Sequence, residues 1–241
     1  AGYIGLEMAE GLRARGLTVT QVEALPEVLD NLRLFDHADF QKSFVRALGD
    51  LVEHLAHDSA VTDVWRLQGS GTFTETVPVL DDKGHMTPTE VERNCAVDVA
   101  LRWGTGYDTK VSSFVNIIAT PKGGTHLAGF EQSLLKVFRK QLEVNARKLK
   151  VGNDKVDKDD VLAGLTAVVT VRLAEPQFEG QTKEVLGTNA VRSIVSKVVE
   201  TELTSLLTST KRAEKQMAGQ LLEKVVAEMK SRISARLHKE T

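Results

Sequence analysis

Gln181-Thr182-Lys183 puts an amide, a hydroxyl and an ammonium within three consecutive residues. Such a cluster of donors suits phosphate oxygens, which accept hydrogen bonds and carry negative charge. The segment before it reads as a loop. Leu165 to Leu173 is an apolar, β-branched run expected to be a strand, Pro176 stops that strand, and Gly180 frees the backbone to turn. Gln181 and Lys183 are therefore expected to point outward from a loop. Other chemistry-bearing residues are weaker. His126 follows Gly123-Gly124-Thr125 and reads as a helix N-terminal residue that bonds the turn rather than as a catalytic base. His54, His57 and Asp58 have the spacing of a solvated helix end, with no further ligand nearby to make a metal site. Asp157, Asp159 and Asp160 are expected to favour a helix N-terminus electrostatically. Cys95 is the single cysteine, lies in an apolar strand pattern, and is expected to be a buried structural thiol.

The run Glu175-Pro176-Gln177-Phe178-Glu179-Gly180-Gln181-Thr182-Lys183 closely resembles the QTK loop of the type II DNA topoisomerase ATPase subunits, the gyrase B and topoisomerase IV B families. In those families the loop sits on the transducer domain, and its lysine reaches the terminal phosphate of ATP bound in a neighbouring domain. The resemblance implies that Lys183 is catalytic and that Gln181 and Lys183 bind that phosphate, with ATP and Mg2+ as cofactors held by the neighbouring domain. The motifs of that domain are not found in this sequence, so the chain alone is expected neither to hydrolyse ATP nor to cut DNA.

The elements that must position the loop are read from periodicity. Phe40 to Ala56 repeats apolar residues at three and four and predicts a helix. Val61 to Leu67 and Thr72 to Leu80 read as strands separated by a turn at Gly69-Ser70-Gly71, and His85 to Asn94 reads as a polar loop. Cys95 to Trp103 alternates, with Val97, Val99, Leu101 and Trp103 on one face and Asp98 and Arg102 on the other. Val111 to Thr120 is a further strand, followed by a helix over roughly 127–149 and a short acidic helix start over 155–162. Val191 to Leu206 predicts a helix, and 211–238 a long final one with Leu222, Val226, Met229, Ile233 and Leu237 as its apolar stripe. These elements predict an α+β fold, a mixed sheet with helices packed on one face and a long C-terminal helix.

Further segments carry the same resemblance. Phe114 to Thr120 with Gly123-Gly124-Thr125-His126 and Gly129-Phe130 is similar to the families' strand, GGTH turn and following helix; Gly164 to Val169 and Val191-Arg192-Ser193 are similar to their flanking elements. The resemblance covers residues 30–241 as a transducer domain and implies a fold shared with a ribosomal-protein domain. It also implies double-stranded DNA, a topoisomerase A-type subunit and a second copy of the B-type subunit as partners. The final helix is rich in cations. Lys211, Arg212, Lys215, Lys230 and Arg232 read either as DNA-backbone contacts or as a solvated face with local ion pairs such as Glu228 with Arg232.

Residues 1–29 differ from the rest. Gly2, Gly5 and Glu23 resemble the second and third glycines and the acidic residue of the dinucleotide fingerprint in pyridine nucleotide-disulfide oxidoreductases, but the first glycine and its strand are absent. This segment is expected to be a truncated, non-functional Rossmann-like fragment. Two rival readings remain open: an NAD-dependent oxidoreductase fragment, and a stand-alone DNA-binding module. The chain of 241 residues has a net charge of −2, so any DNA affinity must rest on local patches. There is no signal-peptide pattern and no apolar run of membrane length, and a cytoplasmic location is expected.

Overall fold

The computed structural model describes residues 38–80, 86–152 and 154–240. The expected Rossmann-like fragment at 1–29, with Gly2, Gly5 and Glu23, lies outside them. In chain order the elements are α1 (Ala38–Leu55), β1 (Trp65–Leu80), β2 (Met86–Trp103), β3 (Lys110–Val115), β4 (Ile118–Ala119), α2 (Thr125–Val144), α3 (Ala146–Leu149), α4 (Lys158–Leu162), β5 (Leu165–Leu173), α5 (Asn189–Leu207) and α6 (Arg212–Glu240). The strands form one five-stranded mixed sheet in the order β1-β2-β5-β3-β4. Among these described strands only β3 and β5 pair in parallel. Their connection carries α2 to α4, as a crossover between parallel strands requires.

The central strand β5 is buried on both sides. Ala167, Val169, Val171 and Leu173 face α2 and α5, while Val168 faces α1 together with Ala100 and Phe114. Most helices thus pack on one face, and α1 covers part of the other through Phe44, Leu48 and Val52. That cover explains the buried polar residues on the second face. Asp98 accepts from Arg172 Nη2 at 2.8 Å and from Gln68 Nε2 at 2.8 Å, and Arg172 lies 5.6 Å from the centre of the Phe44 ring. On the principal face, Trp103 is fully buried, donates through Nε1 to the Val161 carbonyl at 2.8 Å, and meets Trp65 and Phe138 edge-on at 6.1 and 5.5 Å. Cys95 is buried there too. Burial pushes its thiol up to about 12, against a smaller opposing pull from Arg172, so the thiolate that would make it reactive is suppressed.

Four local expectations change, the first being the single strand over Val111 to Thr120, which turns back on itself at Asn116 to give β3 and β4. Gly69-Ser70-Gly71 is not a turn, because β1 runs straight through it in register with Val97, Ala96 and Cys95. The glycines serve packing instead. A Cβ at Gly69 would sit 2.8 Å from Val198 Cγ2, and one at Gly71 2.9 Å from Ile194 Cγ2, so their bareness lets α5 lie close on the strand. His85 to Asn94 is not a loop beyond Met86. Pairing with β1 draws this polar stretch into β2, from Leu80↔Met86 down to Thr72↔Asn94. β5 reaches only Cys95, so the outer part of the hairpin is a two-stranded ribbon. The helix expected over 127–149 breaks at Asn145, whose Nδ2 donates to the Gln141 carbonyl at 2.8 Å. The final helix keeps its stripe buried through Met229, with Ile233 at the edge of the core and Leu237 62% exposed.

The α2–α5 crossing depends on Gly129. A Cβ there would collide with the Arg192 carbonyl oxygen of α5. In an isolated helix Gly→Ala gains about 1 kcal/mol. Here the sign reverses, and Gly129→Ala is expected to lower unfolding stability by about 2 kcal/mol or more, since backbone must move to admit the methyl. Urea unfolding measures it.

Candidate functional site

The Gln181-Lys183 loop leaves the end of β5 at Leu173. That end is held by Asn116, which takes a left-handed φ of 50° in the β3–β4 turn. Its Nδ2 donates to the Leu173 carbonyl at 3.1 Å, and its Oδ1 accepts the Leu173 N–H at 3.0 Å. The side chain thereby acts as one more rung of the sheet. The loop then pairs with itself. Phe178 and Leu186 form an antiparallel bridge, Glu179 N–H donates to the Val185 carbonyl at 2.9 Å, and Gly187 N–H to the Gln177 carbonyl at 2.8 Å. Residues 179–185 are the tip of a small hairpin.

Its returning leg is fixed to the turn before α2. Leu186 N–H donates to the Gly123 carbonyl at 3.1 Å, and Thr125 N–H donates to the Leu186 carbonyl at 2.9 Å. Gly124 lies between, with φ 135°, and a Cβ there would strike the Leu186 backbone. Thr188 joins both legs to the start of α5. Its hydroxyl accepts the Gln177 N–H at 3.1 Å, and its carbonyl accepts the Thr125 hydroxyl at 2.9 Å.

Gln181, Thr182 and Lys183 stand exposed at the tip. Lys183 has a left-handed φ of 55°, which a lysine adopts only at a cost. Among the described residues no hydrogen bond or ion pair engages the side chain of Gln181 or Lys183. The neighbouring Glu184 is engaged: it accepts from Lys122 Nζ at 2.6 Å and from the Thr182 hydroxyl at 3.1 Å. Those bonds, that from Lys122 foremost, hold its carboxyl below the usual range. The tip therefore presents one free ammonium and one free amide beside an ion pair that is already matched.

His126 lies beneath this turn and reaches no surface. It is fully buried, with Nε2 3.1 Å from the Thr120 hydroxyl. Ser113 Oγ donates to the Thr120 carbonyl at 2.9 Å and lies 2.8 Å from the Thr120 hydroxyl. With protons assigned to satisfy this network, Nε2 carries the hydrogen and the unpartnered Nδ1 is a bare lone pair. It is thus the turn-bonding histidine anticipated from sequence.

The remaining candidates are structural. Asp58 accepts the Gly106 N–H at 2.7 Å, and its backbone carbonyl accepts from Arg102. Asp157 and Asp160 form a capping box on α4. Among the described residues no group of three His, Cys, Asp or Glu side chains could hold a metal, and no helix is long and apolar enough to cross a membrane. Just before α6, Lys211 pairs with Glu214 at 3.0 Å, while Arg212, Lys215 and Lys230 of α6 are exposed. Arg232 is committed elsewhere. It bonds both Asp160 oxygens at 2.8 Å, Asp157 at 3.0 Å and the Lys155 carbonyl at 3.0 Å, clamping α6 to α4. Glu228, expected to pair with Arg232, pairs with Lys224 instead, at 2.9 Å.

The family described as DNA gyrase B matches residues 47–241. The chain belongs to the DNA gyrase B family. It is 43% identical over 147 residues to the DNA gyrase B protein of Treponema pallidum, covering 60% of this chain and 22% of that protein. It is 38% identical over 178 residues to the corresponding Treponema denticola protein, covering 70% and 27%. The chain thus spans about a quarter of the length of these relatives. The fold is that of the 43K ATPase domain of Thermus thermophilus gyrase B, solved with an aminocoumarin (TM-score 0.62, 23% identity, 80% of this chain and 46% of that one). It also matches the topoisomerase IV ATP-binding domain of Francisella tularensis, solved with a small-molecule inhibitor (TM-score 0.55, 24% identity, 78% and 43%). Residues 1–49 match pyridine nucleotide-disulphide oxidoreductases, a match that ends inside α1.

Burial lowers His126 from 6.5 to about 4. Between those values the unfolded chain binds the proton and the folded protein does not. Stability is therefore expected to fall as pH drops from about 6.5 to about 4, with roughly 3 kcal/mol from this residue. Urea unfolding across that range should show the loss, and a neutral His126→Gln should flatten it.

Proposed function

We propose that residues 30–241 are the transducer segment of an ATP-dependent type II topoisomerase, on the B-type subunit of the gyrase or topoisomerase IV kind. In this reading Lys183 and Gln181 contact the terminal phosphate of ATP held in a separate domain. The observation that carries it is the pair of uncommitted donors at the tip of a loop fixed by backbone bonds on both legs. A phosphate oxygen fits them because the loop offers cation and amide without an internal partner. ATP brings the phosphoryl group and its Mg2+. The Lys183 ammonium neutralises a terminal oxygen and the charge that builds there, and the Gln181 amide orients a second oxygen.

The loop also explains how occupancy would be transmitted. Thr188 joins it directly to α5, and α5 packs on both β1 and α6. A phosphate that holds Lys183 favours one orientation of this rigid unit against the nucleotide domain, a two-state hinge. Coupling to DNA strand passage then requires duplex DNA, an A-type subunit and a second copy of the B-type subunit. Exposed Arg212, Lys215 and Lys230 of α6 are available to a DNA backbone together with Lys211 beside them, which pairs with Glu214 at the surface, whereas Arg232 is clamped by the Asp157 and Asp160 carboxylates.

The chain alone is expected to be inactive toward ATP, and complementation tests the reading. Mixed with the separately expressed nucleotide-binding domain of a related gyrase B, the wild-type chain should raise ATP turnover. Lys183→Ala should lose that stimulation by about 100-fold, the scale of one donor aimed at developing charge. Equal stimulation by wild type and Lys183→Ala would remove Lys183 from the reaction.

A further inference from the structure

The leading leg of the loop, Glu175 to Phe178, is held by a second device. Glu175 Oε2 accepts from Arg93 Nη2 across an exposed edge, and Gln177 Nε2 donates to Glu75 Oε1. Glu75 and Arg93 belong to β1 and β2, and Arg93 Nε lies 3.6 Å from Glu75 Oε2. The four side chains make one chain of contacts: Glu175, Arg93, Glu75, Gln177. Arg93 and Glu75 are largely shielded, at 15% and 17% side-chain exposure, so their attraction is less screened than that of a surface pair. Phe73 stands opposite Arg93 in the register and packs against the core, which fixes where the arginine starts.

Two facts make this more than an incidental surface pair. Glu175 has a left-handed φ of 51°, so the chain turns at the residue that Arg93 holds. In addition, the contact sits at the foot of the two-stranded ribbon, where β5 has ended and β1 and β2 continue alone. From the Phe73↔Arg93 rung to Leu80↔Met86 the ribbon extends about 23 Å, at roughly 3.3 Å per residue.

We propose that Arg93 is a positioning residue for the Gln181-Lys183 loop, holding its leading leg through Glu175 and, with Glu75, through Gln177, and thereby linking the β1–β2 ribbon to the loop. The inference deepens the phosphate-contact reading and rests on it for its consequence in catalysis. The returning leg is bonded backbone to backbone at Gly123 and Thr125, and the leading leg is bonded to it at Gln177 and Glu179; the Arg93 and Glu75 side chains add the leading leg's tie to the β1–β2 ribbon. Removal of Arg93 should loosen the leading leg at Glu175 while its backbone bonds to the returning leg remain.

Limited trypsin digestion of the full chain tests this without any ATP. Cleavage after Lys183, compared with cleavage after Lys148 in α3, reports opening of the loop alone. Arg93→Ala is expected to raise that ratio about tenfold, as local opening becomes easier. Arg93→Lys, which keeps a cation near Glu175, should restore most of the wild-type ratio. An unchanged ratio in Arg93→Ala, or equal acceleration at both sites, would overturn the inference. In the complementation assay Arg93→Ala should lower ATP turnover with little change in KM, because ATP is held by the other domain. Failure of the phosphate reading appears separately, as a Lys183→Ala chain that stimulates like wild type, and the trypsin ratio still judges Arg93.

Discussion

Leu186 gives and takes one backbone hydrogen bond with the turn at Gly123 to Thr125, and the position of the Gln181-Lys183 loop follows from that exchange. The exchange requires the two backbones to approach without a side chain between them. Gly124 meets this requirement, since any Cβ would overlap the Leu186 main chain. The turn is itself fixed by the buried contacts of Ser113, Thr120 and His126 beneath it. The loop is therefore attached to the sheet through β3, β4 and the start of α2, as well as through its own covalent link to β5. The side-chain contacts of Arg93 and Glu75 reinforce this backbone attachment rather than replace it, because an exposed side-chain hydrogen bond contributes less once its entropy is subtracted.

A second consequence concerns residues that look chemical but serve the fold. His126 is a neutral spacer in a buried hydroxyl network. Asp58 closes the turn at Gly106, and Asp157 and Asp160 cap α4 while holding Arg232. Asp98 and Arg172 neutralise each other under α1. Each of these groups has a geometric task, and the buried charges among them, Asp98, Asp160 and Arg172, are paired, as a buried charge without a partner is costly. Lys183 departs from this pattern, having a strained backbone and an uncommitted ammonium on a well-held tip. That contrast carries the functional argument.

Much of this was legible in the sequence. Local periodicity located β5 over Leu165–Leu173, α5 and α6, because their apolar residues recur at the spacing that burial imposes. The exposed loop with Gln181 and Lys183 followed from Pro176 and Gly180. The supporting residues were not legible. Asn116 meets Leu173 across 57 positions, and Gln177 meets Glu75 across 102, so no local pattern records them. Gly69 and Gly71 misled for the same reason: glycine marks either a turn or a close approach, and only α5 decides between them. The ribbon over Met86 to Asn94 was hidden because polar residues read as loop unless a partner strand supplies backbone bonds.

Labelling with an ATP analogue that carries an acyl group on its terminal phosphate tests the central claim most directly. Such a reagent acylates a lysine lying against that phosphate. With this chain and a gyrase B nucleotide-binding domain mixed together, peptide mass spectrometry should find the acyl group on Lys183, and excess ATP should prevent it. Labelling that leaves Lys183 no more modified than the exposed lysines Lys148 and Lys230 would contradict the account.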